Sequence, residues 1–154
     1  MNYRQLLNPW VIVQVLLFSA ILLMPDGTSF SVSDELTFSL RLVGFIGWAI
    51  LFKSIYDLRK SLAIEPIPSE RSSLQVHGIY RFVRHPMYVA VWFIFGGISI
   101  NRQSWLTLSL YVLLIVFFIA KSRYEENQLI LKFPEYKNYM KRTGAFLPSF
   151  LHNR

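Results

Sequence analysis

The chain has 154 residues, enough for one domain; 53% are hydrophobic, 16% aromatic, and the formal charge is +7. That composition excludes an ordinary soluble domain, and the absence of cysteine excludes disulfides, thiolate metal sites and cysteine nucleophiles. Positive charge suits a membrane surface or nucleic acid; with no RNP-like, zinc-finger or helix-turn-helix pattern present, no nucleic-acid partner is expected.

Four apolar stretches predict four membrane spans. The first runs from about Pro9 to Met24, with Pro9 suited to an opening helical turn. It follows Arg4 and resembles a signal peptide, but without a small-x-small cleavage site before Pro25 it is read as a retained span. Pro25, Asp26 and Gly27 mark a loop reaching Glu35. Span two runs from about Leu36 to Tyr56, with Arg41 and Lys53 near its ends, where long side chains snorkel. A polar stretch from Asp57 to Arg84 follows. Span three, about Pro86 to Ile100, is short against the roughly 20 residues a span needs. Asn101 to Ser104 is a tight connection, so spans three and four should form an antiparallel hairpin. Span four runs from about Trp105 to Ala120, its helix continuing past Glu126, and the tail from Phe133 to Arg154 is basic and aromatic. Gly96-Gly97 would permit close helix approach, within the chain or between copies.

Orientation follows from lysine and arginine placement. Arg59, Lys60, Arg71, Arg81 and Arg84 fall in the long loop; Lys121, Arg123, Lys132, Lys137, Lys141, Arg142 and Arg154 fall at the C-terminal end. The opposite side holds Asp26, Asp34 and Glu35, with Arg41 and Arg102 as its basic residues. Both termini, the long loop and the tail are therefore expected on the cytoplasmic face, where chemistry is sought.

Three clusters stand there. Gly78-Ile79-Tyr80-Arg81-Phe82-Val83-Arg84-His85-Pro86-Met87-Tyr88 lies where the loop re-enters the membrane. Its plain role is anchoring, arginine to headgroup phosphate and tyrosine in the interfacial belt; its sharper role is an anion site, since arginine offers planar donors and a helix start adds backbone donors. Arg123-Tyr124-Glu125-Glu126-Asn127 sets two carboxylates side by side, and at least one needs a partner. Lys121 with Glu125 at i, i+4 would be the plain pairing; the basic cluster is the functional one. In Phe133-Pro134-Glu135-Tyr136-Lys137-Asn138-Tyr139-Met140, Tyr136 and Tyr139 share a helix face, either lying at the interface or forming a cofactor lid. His77, His85 and a glutamate match no strong ligand spacing, so no metal is expected.

Taken in order, these clusters resemble the isoprenylcysteine carboxyl methyltransferase and phospholipid methyltransferase group of membrane enzymes. The pattern is Leu74-x-x-x-Gly78-x-Tyr80-Arg81-x-x-Arg84-His85-Pro86-Met87-Tyr88, then Glu125-Glu126-x-x-Leu129, then Phe133, Tyr136, Tyr139 and Pro148, covering roughly residues 56–150. The resemblance implies an S-adenosylmethionine site built by the C-terminal half. Arg84 and His85 would stand near the cofactor's polar end, with Tyr88 lining the pocket. Glu125 and Glu126 would hold ribose or amino groups or pair with the arginines. Gly78 and Tyr80 would let the loop approach closely. Arg81 and Arg123 are nominated to orient the acceptor. Three positions depart from the family pattern: Ala90 where glycine is usual, Pro134 where glycine follows phenylalanine, and Ile79 where proline is common.

The expected fold is therefore an all-α integral membrane protein of about four transmembrane helices, with a cytoplasmic cofactor-binding loop and C-terminal tail. It is one membrane domain over 1–154: an N-terminal helical pair (1–56) and a cofactor-binding hairpin with its loop and tail (57–154). The expected function is S-adenosylmethionine-dependent methyl transfer to a lipid-like or prenylated acceptor from the bilayer, isoprenylcysteine carboxylate-like or phospholipid-like. The rivals are an NADPH-dependent membrane reductase of related architecture and a non-catalytic scaffold keeping the fold.

Overall fold

The computed structural model describes residues 8–25, 28–62 and 74–149. Among them lie five α-helices: α1 (Pro9–Leu23), α2 (Asp34–Leu62), α3 (Pro86–Asn101), α4 (Trp105–Lys132) and α5 (Tyr136–Arg142), with a 3-10 turn at Gly78–Arg81. The described residues contain no strand, and two isolated bridges join Ser29 to Ser104 and Val83 to Gly144. Arg71 and the other residues of 63–73, together with Arg4, Asp26, Gly27, His152 and Arg154, lie outside the described residues.

Local chemistry sets the helix starts. Asn8 accepts the Trp10 N–H on its side chain (3.0 Å), and Pro9 takes the first position of α1, where a missing N–H costs nothing. Ser33 Oγ accepts from Leu36 N–H (3.4 Å), and Asp34 and Glu35 complement the positive end of the α2 dipole. His85 gives its carbonyl to the Tyr88 and Val89 N–H groups, so α3 begins at Pro86 and no earlier.

Among the described residues, two helical segments are long and apolar enough to cross a membrane, Asp34–Arg59 and Trp105–Lys132. Only 11% and 22% of their apolar windows are buried, which is how lipid-facing helices differ from the core helices of a soluble fold. α1 and α3 are apolar but shorter, at 15 and 16 residues. That makes each about 24 Å or less, short of a hydrocarbon core of about 30 Å.

The chain divides into two compact units, one of Met1–Phe45 with Trp92–Ser122, the other of Ile46–Val91 with Arg123–Arg154. The first is packed by aromatic and aliphatic side chains. Phe18 stacks on Phe95 (4.4 Å between centroids) and meets Phe118 at 6.2 Å, around buried Leu17, Ile21, Ile94 and Leu114. Arg102 donates to the carbonyls of Ile21, Leu22 and Met24, satisfying the orphan acceptors at the end of α1. Arg41 donates to the Asn101 side chain, and Lys121 to Gln14 (2.7 Å). Of the two adjacent glycines, Gly97 faces the Leu40 carbonyl and Gly44 of α2, while Gly96 faces the Tyr111 hydroxyl. The close approach is thus made within the chain.

A Cβ at Gly97 would lie 3.1 Å from the rigid Leu40 oxygen, whereas one at Gly44 would meet nothing within 4 Å. Gly97→Val should therefore cost about 2 kcal/mol through overpacking. Gly44→Ala should be neutral or stabilising by up to about 1 kcal/mol through helix propensity. Thermal unfolding of the two variants in detergent, followed by circular dichroism, checks the contrast.

Candidate functional site

The second unit is organised by polar contacts. Asp57, buried near the C-terminal end of α2, receives an ion pair from Lys53 and accepts the Ile79 N–H (2.8 Å). Gln75 donates to the carbonyls of Asp57 and His77 (both 3.2 Å). Gly78 makes the turn possible in two ways. Its φ of +65° is one a side chain resists, and a Cβ there would fall 2.1 Å from the Asp57 carboxylate. Gly78 thus lets the loop approach Asp57, a role the sequence alone did not suggest. From this anchor the 3-10 turn leads into Val83-Arg84-His85. The Arg84 and His85 N–H groups pair with the carbonyls of Gly144 (2.9 Å) and Ala145 (3.0 Å) in the tail.

At the centre lies one carboxylate oxygen. Glu126 Oε1 accepts from Arg84 Nε (2.8 Å) and contacts His85 Nε2 (2.9 Å). A carboxylate only accepts, so the facing imidazole nitrogen carries its proton. The Arg84 and Glu126 side chains are 10% and 11% exposed, so this is a buried pair. Arg84 Nη1 also donates to the carbonyls of Met140 (3.1 Å) and Thr143, binding the tail to the same cluster. The His85 ring is held between Tyr88, stacked nearly parallel at 5.3 Å, and Phe146 at 5.7 Å. Glu125, one residue along α4, accepts instead from the Tyr88 hydroxyl (2.6 Å). Neighbours on a helix point about 100° apart, which is why adjacent carboxylates take different partners. Lys121 donates to Gln14, and Glu125 accepts from Tyr88.

Beside this cluster is a cavity of about 380 Å³. Of the residues singled out in the sequence, Tyr80, Arg84, His85, Tyr88 and Glu125 line it, and Glu126 holds two of them from behind. Gly78, Arg81 and Arg123 are not in the lining; all three are exposed, and Arg81 lies over the Phe82 ring. The aromatic tail supplies Phe133, Tyr136 and Tyr139, the last two in edge contact at 5.5 Å. Tyr139 is latched to the loop through its hydroxyl, which donates to the Tyr80 carbonyl. Leu74, Met87 and Leu129 stand in the motif but were given no role there, and Leu58, Gln75 and Lys132 are lining residues outside it. A signal for two of them existed: Leu129 and Lys132 follow Glu125 at i+4 and i+7, on one helix face.

Burial raises the Tyr80 phenol to about 12, with the Asp57 charge adding to the effect. Burial likewise raises Tyr136 to about 12, with Glu126 adding to it. Tyr139 is also pushed up, by burial and then by Tyr136.

The description that fits this chain among known families is phospholipid methyltransferase, whose model matches residues 42–135. A relative named methanethiol S-methyltransferase, from Pseudomonas deceptionensis, is 27% identical over 119 residues. The match covers 71% of this chain and 45% of the relative, so the chain spans under half of that protein's length.

Two outcomes follow from the geometry. Glu126→Ala leaves a guanidinium buried without its carboxylate and should cost about 3 kcal/mol, read as a lowered unfolding temperature in detergent. The tyrosines set an alkaline limit. A raised phenol pKa means that the folded state holds its proton more tightly. The stability this contributes is complete below pH 10 and lost as pH climbs through about 12. Ultraviolet titration should show a late phenolate step that shrinks in Tyr80→Phe and again in Tyr136→Phe.

Proposed function

The chain belongs to the phospholipid methyltransferase family, and from that premise we propose that it moves a methyl group from S-adenosylmethionine to an acceptor drawn from the bilayer. The observation that carries this reading is a cavity that combines a carboxylate, four phenols and a phenylalanine beside the Arg84–His85–Glu126 cluster.

The residues suit the methyl donor. A cavity of about 380 Å³ falls within the range of small-molecule sites. Glu125 presents negative charge to an ammonium or a sulfonium. Tyr80, Phe133, Tyr136 and Tyr139 offer faces for a flat base and for a cation. When bound, the donor supplies an electrophilic methyl carbon on positively charged sulfur. Tyr88 holds the Glu125 carboxylate in place through its hydroxyl. Glu126 fixes the His85 ring, and Tyr139 closes the tail onto the loop. This orientation is the protein's main contribution, since methyl transfer depends on alignment of nucleophile, carbon and leaving sulfur.

Leu58, Leu74, Met87 and Leu129 give the cavity an apolar side for the acceptor. A lipid-like acceptor, phospholipid or isoprenylcysteine carboxylate in kind, is already concentrated in the bilayer. The exposed Arg81 and Arg123 would orient its anionic head from outside the lining. A thiol acceptor is the second reading, favoured by the relative named for methanethiol. A carboxylate or thiolate needs no general base, whereas an amine must first lose a proton. The topology proposed with this function has four spans, α1 to α4, with both termini and the cavity cytoplasmic. The distribution of lysine and arginine supports it.

Calorimetry on detergent-purified protein should show saturable S-adenosylmethionine binding that NADPH does not displace. Labelled methyl should then pass to phosphatidylethanolamine, a prenylcysteine or an alkanethiol. Displacement by NADPH would turn the reading to a reductase. Binding of neither ligand by folded protein would turn it to a scaffold.

A further inference from the structure

Gln75 brings an amide side chain to a cavity wall that is otherwise apolar, aromatic or charged. Its orientation is fixed by backbone. Nε2 donates to the Asp57 carbonyl, near the C-terminal end of α2, and to the His77 carbonyl in the loop, both at 3.2 Å. A carbonyl only accepts, so the NH2 group faces these two oxygens. The amide cannot turn over without setting its own oxygen against them. With its N–H bonds committed to the loop, what the amide has to present is Oε1, an acceptor that carries no charge and does not titrate.

We propose that Gln75 Oε1 reads the purine of the cavity's ligand, accepting from the exocyclic amine of adenine. This rests on the reading of the cavity as an S-adenosylmethionine site, and it makes Gln75 a specificity-determining residue for the base. The methyl donor carries two kinds of N–H group. Its ammonium is charged and is matched by the Glu125 carboxylate, since charge-assisted bonds are the stronger ones. Its adenine amine is neutral and suits a neutral amide oxygen. A face for the base stands on the same loop: Tyr80 follows Gln75 into the lining, and the Tyr139 hydroxyl holds its carbonyl. A glutamine in a nucleic-acid complex reads adenine with its oxygen and nitrogen together, at the amine and at a ring nitrogen. Here the amide nitrogen is engaged by backbone, so the base is read at the amine alone.

The test measures binding by calorimetry on detergent-purified protein. The ligands are S-adenosylhomocysteine, which keeps the adenine, and S-inosylhomocysteine, in which a carbonyl replaces the amine. The wild type should bind the adenosyl ligand about tenfold more tightly, because the inosyl carbonyl meets an oxygen that cannot turn away. Gln75→Met removes that oxygen together with the two anchoring bonds, so it should weaken both ligands and abolish the preference. Gln75→Lys keeps a donor for the Asp57 and His77 carbonyls and removes the oxygen, so it should abolish or invert the preference with the loop still anchored. A preference retained in either variant would mean that Gln75 acts through the loop and would overturn the assignment, as would equal binding of the two ligands by the wild type. Should one variant not fold, the other decides. If the folded wild type binds neither of these ligands nor S-adenosylmethionine, the methyl-donor reading itself falls, and the assignment falls with it.

Discussion

One carboxylate oxygen, Oε1 of Glu126, is shared by Arg84 and His85, and the second unit is organised around that contact. Removing a carboxylate and a guanidinium from water costs several kcal/mol each, and their attraction offsets this only when geometry is good and the remaining donors are satisfied. Here Arg84 continues to the Met140 and Thr143 carbonyls, so satisfying one cation draws α4, the entry to α3 and the tail together. The His85 ring, fixed by the same oxygen, is clasped between Tyr88 and Phe146. Each contact presupposes the others, which is how a polar network specifies a single arrangement.

The same economy explains the paired glutamates. On a helix, adjacent side chains diverge by about 100°. Glu126 turns to the basic cluster, and Glu125 turns to the Tyr88 hydroxyl and the cavity. One serves the frame while the other lines the cavity. The separation lowers the repulsion that two neighbouring carboxylates would otherwise feel.

The first unit is held together differently. Its interior is aromatic and aliphatic, its helices approach closely at Gly97, and several of its polar contacts satisfy groups at helix ends. Arg41 and Arg102 stood out in the sequence as basic residues on the side otherwise marked by acids. Arg102 caps the last carbonyls of α1, and Arg41 binds Asn101 at the last residue of α3. Both have local structural work, so neither weakens the charge asymmetry on which the proposed orientation depends.

Apolar run length and punctuation by themselves located α1, α3 and α4, whereas α2 runs on to Leu62, six residues past the expected end at Tyr56 and into the stretch read as a loop, and α5 follows no apolar run. Pro9, Pro25, Pro86 and the tight Asn101–Ser104 connection limit where helices start and stop, and the extension of α4 past Glu126 was legible because its polar residues are good helix formers. The order of the Arg-His-Pro-x-Tyr, Glu-Glu and Tyr-x-x-Tyr elements was enough to identify the family and to gather most of the polar residues around the cavity. Tertiary structure decided the rest, because a motif names residues without saying which way they face. It placed Gly78 against Asp57, 21 residues away in the chain, and turned the Arg84 donors toward Glu126 and the tail carbonyls. It brought Leu58 of α2 into one wall with Gln75 and Tyr139. Those are contacts between segments distant in sequence, and their partners are set by the packing of helices in space, for which local pattern carries no signal.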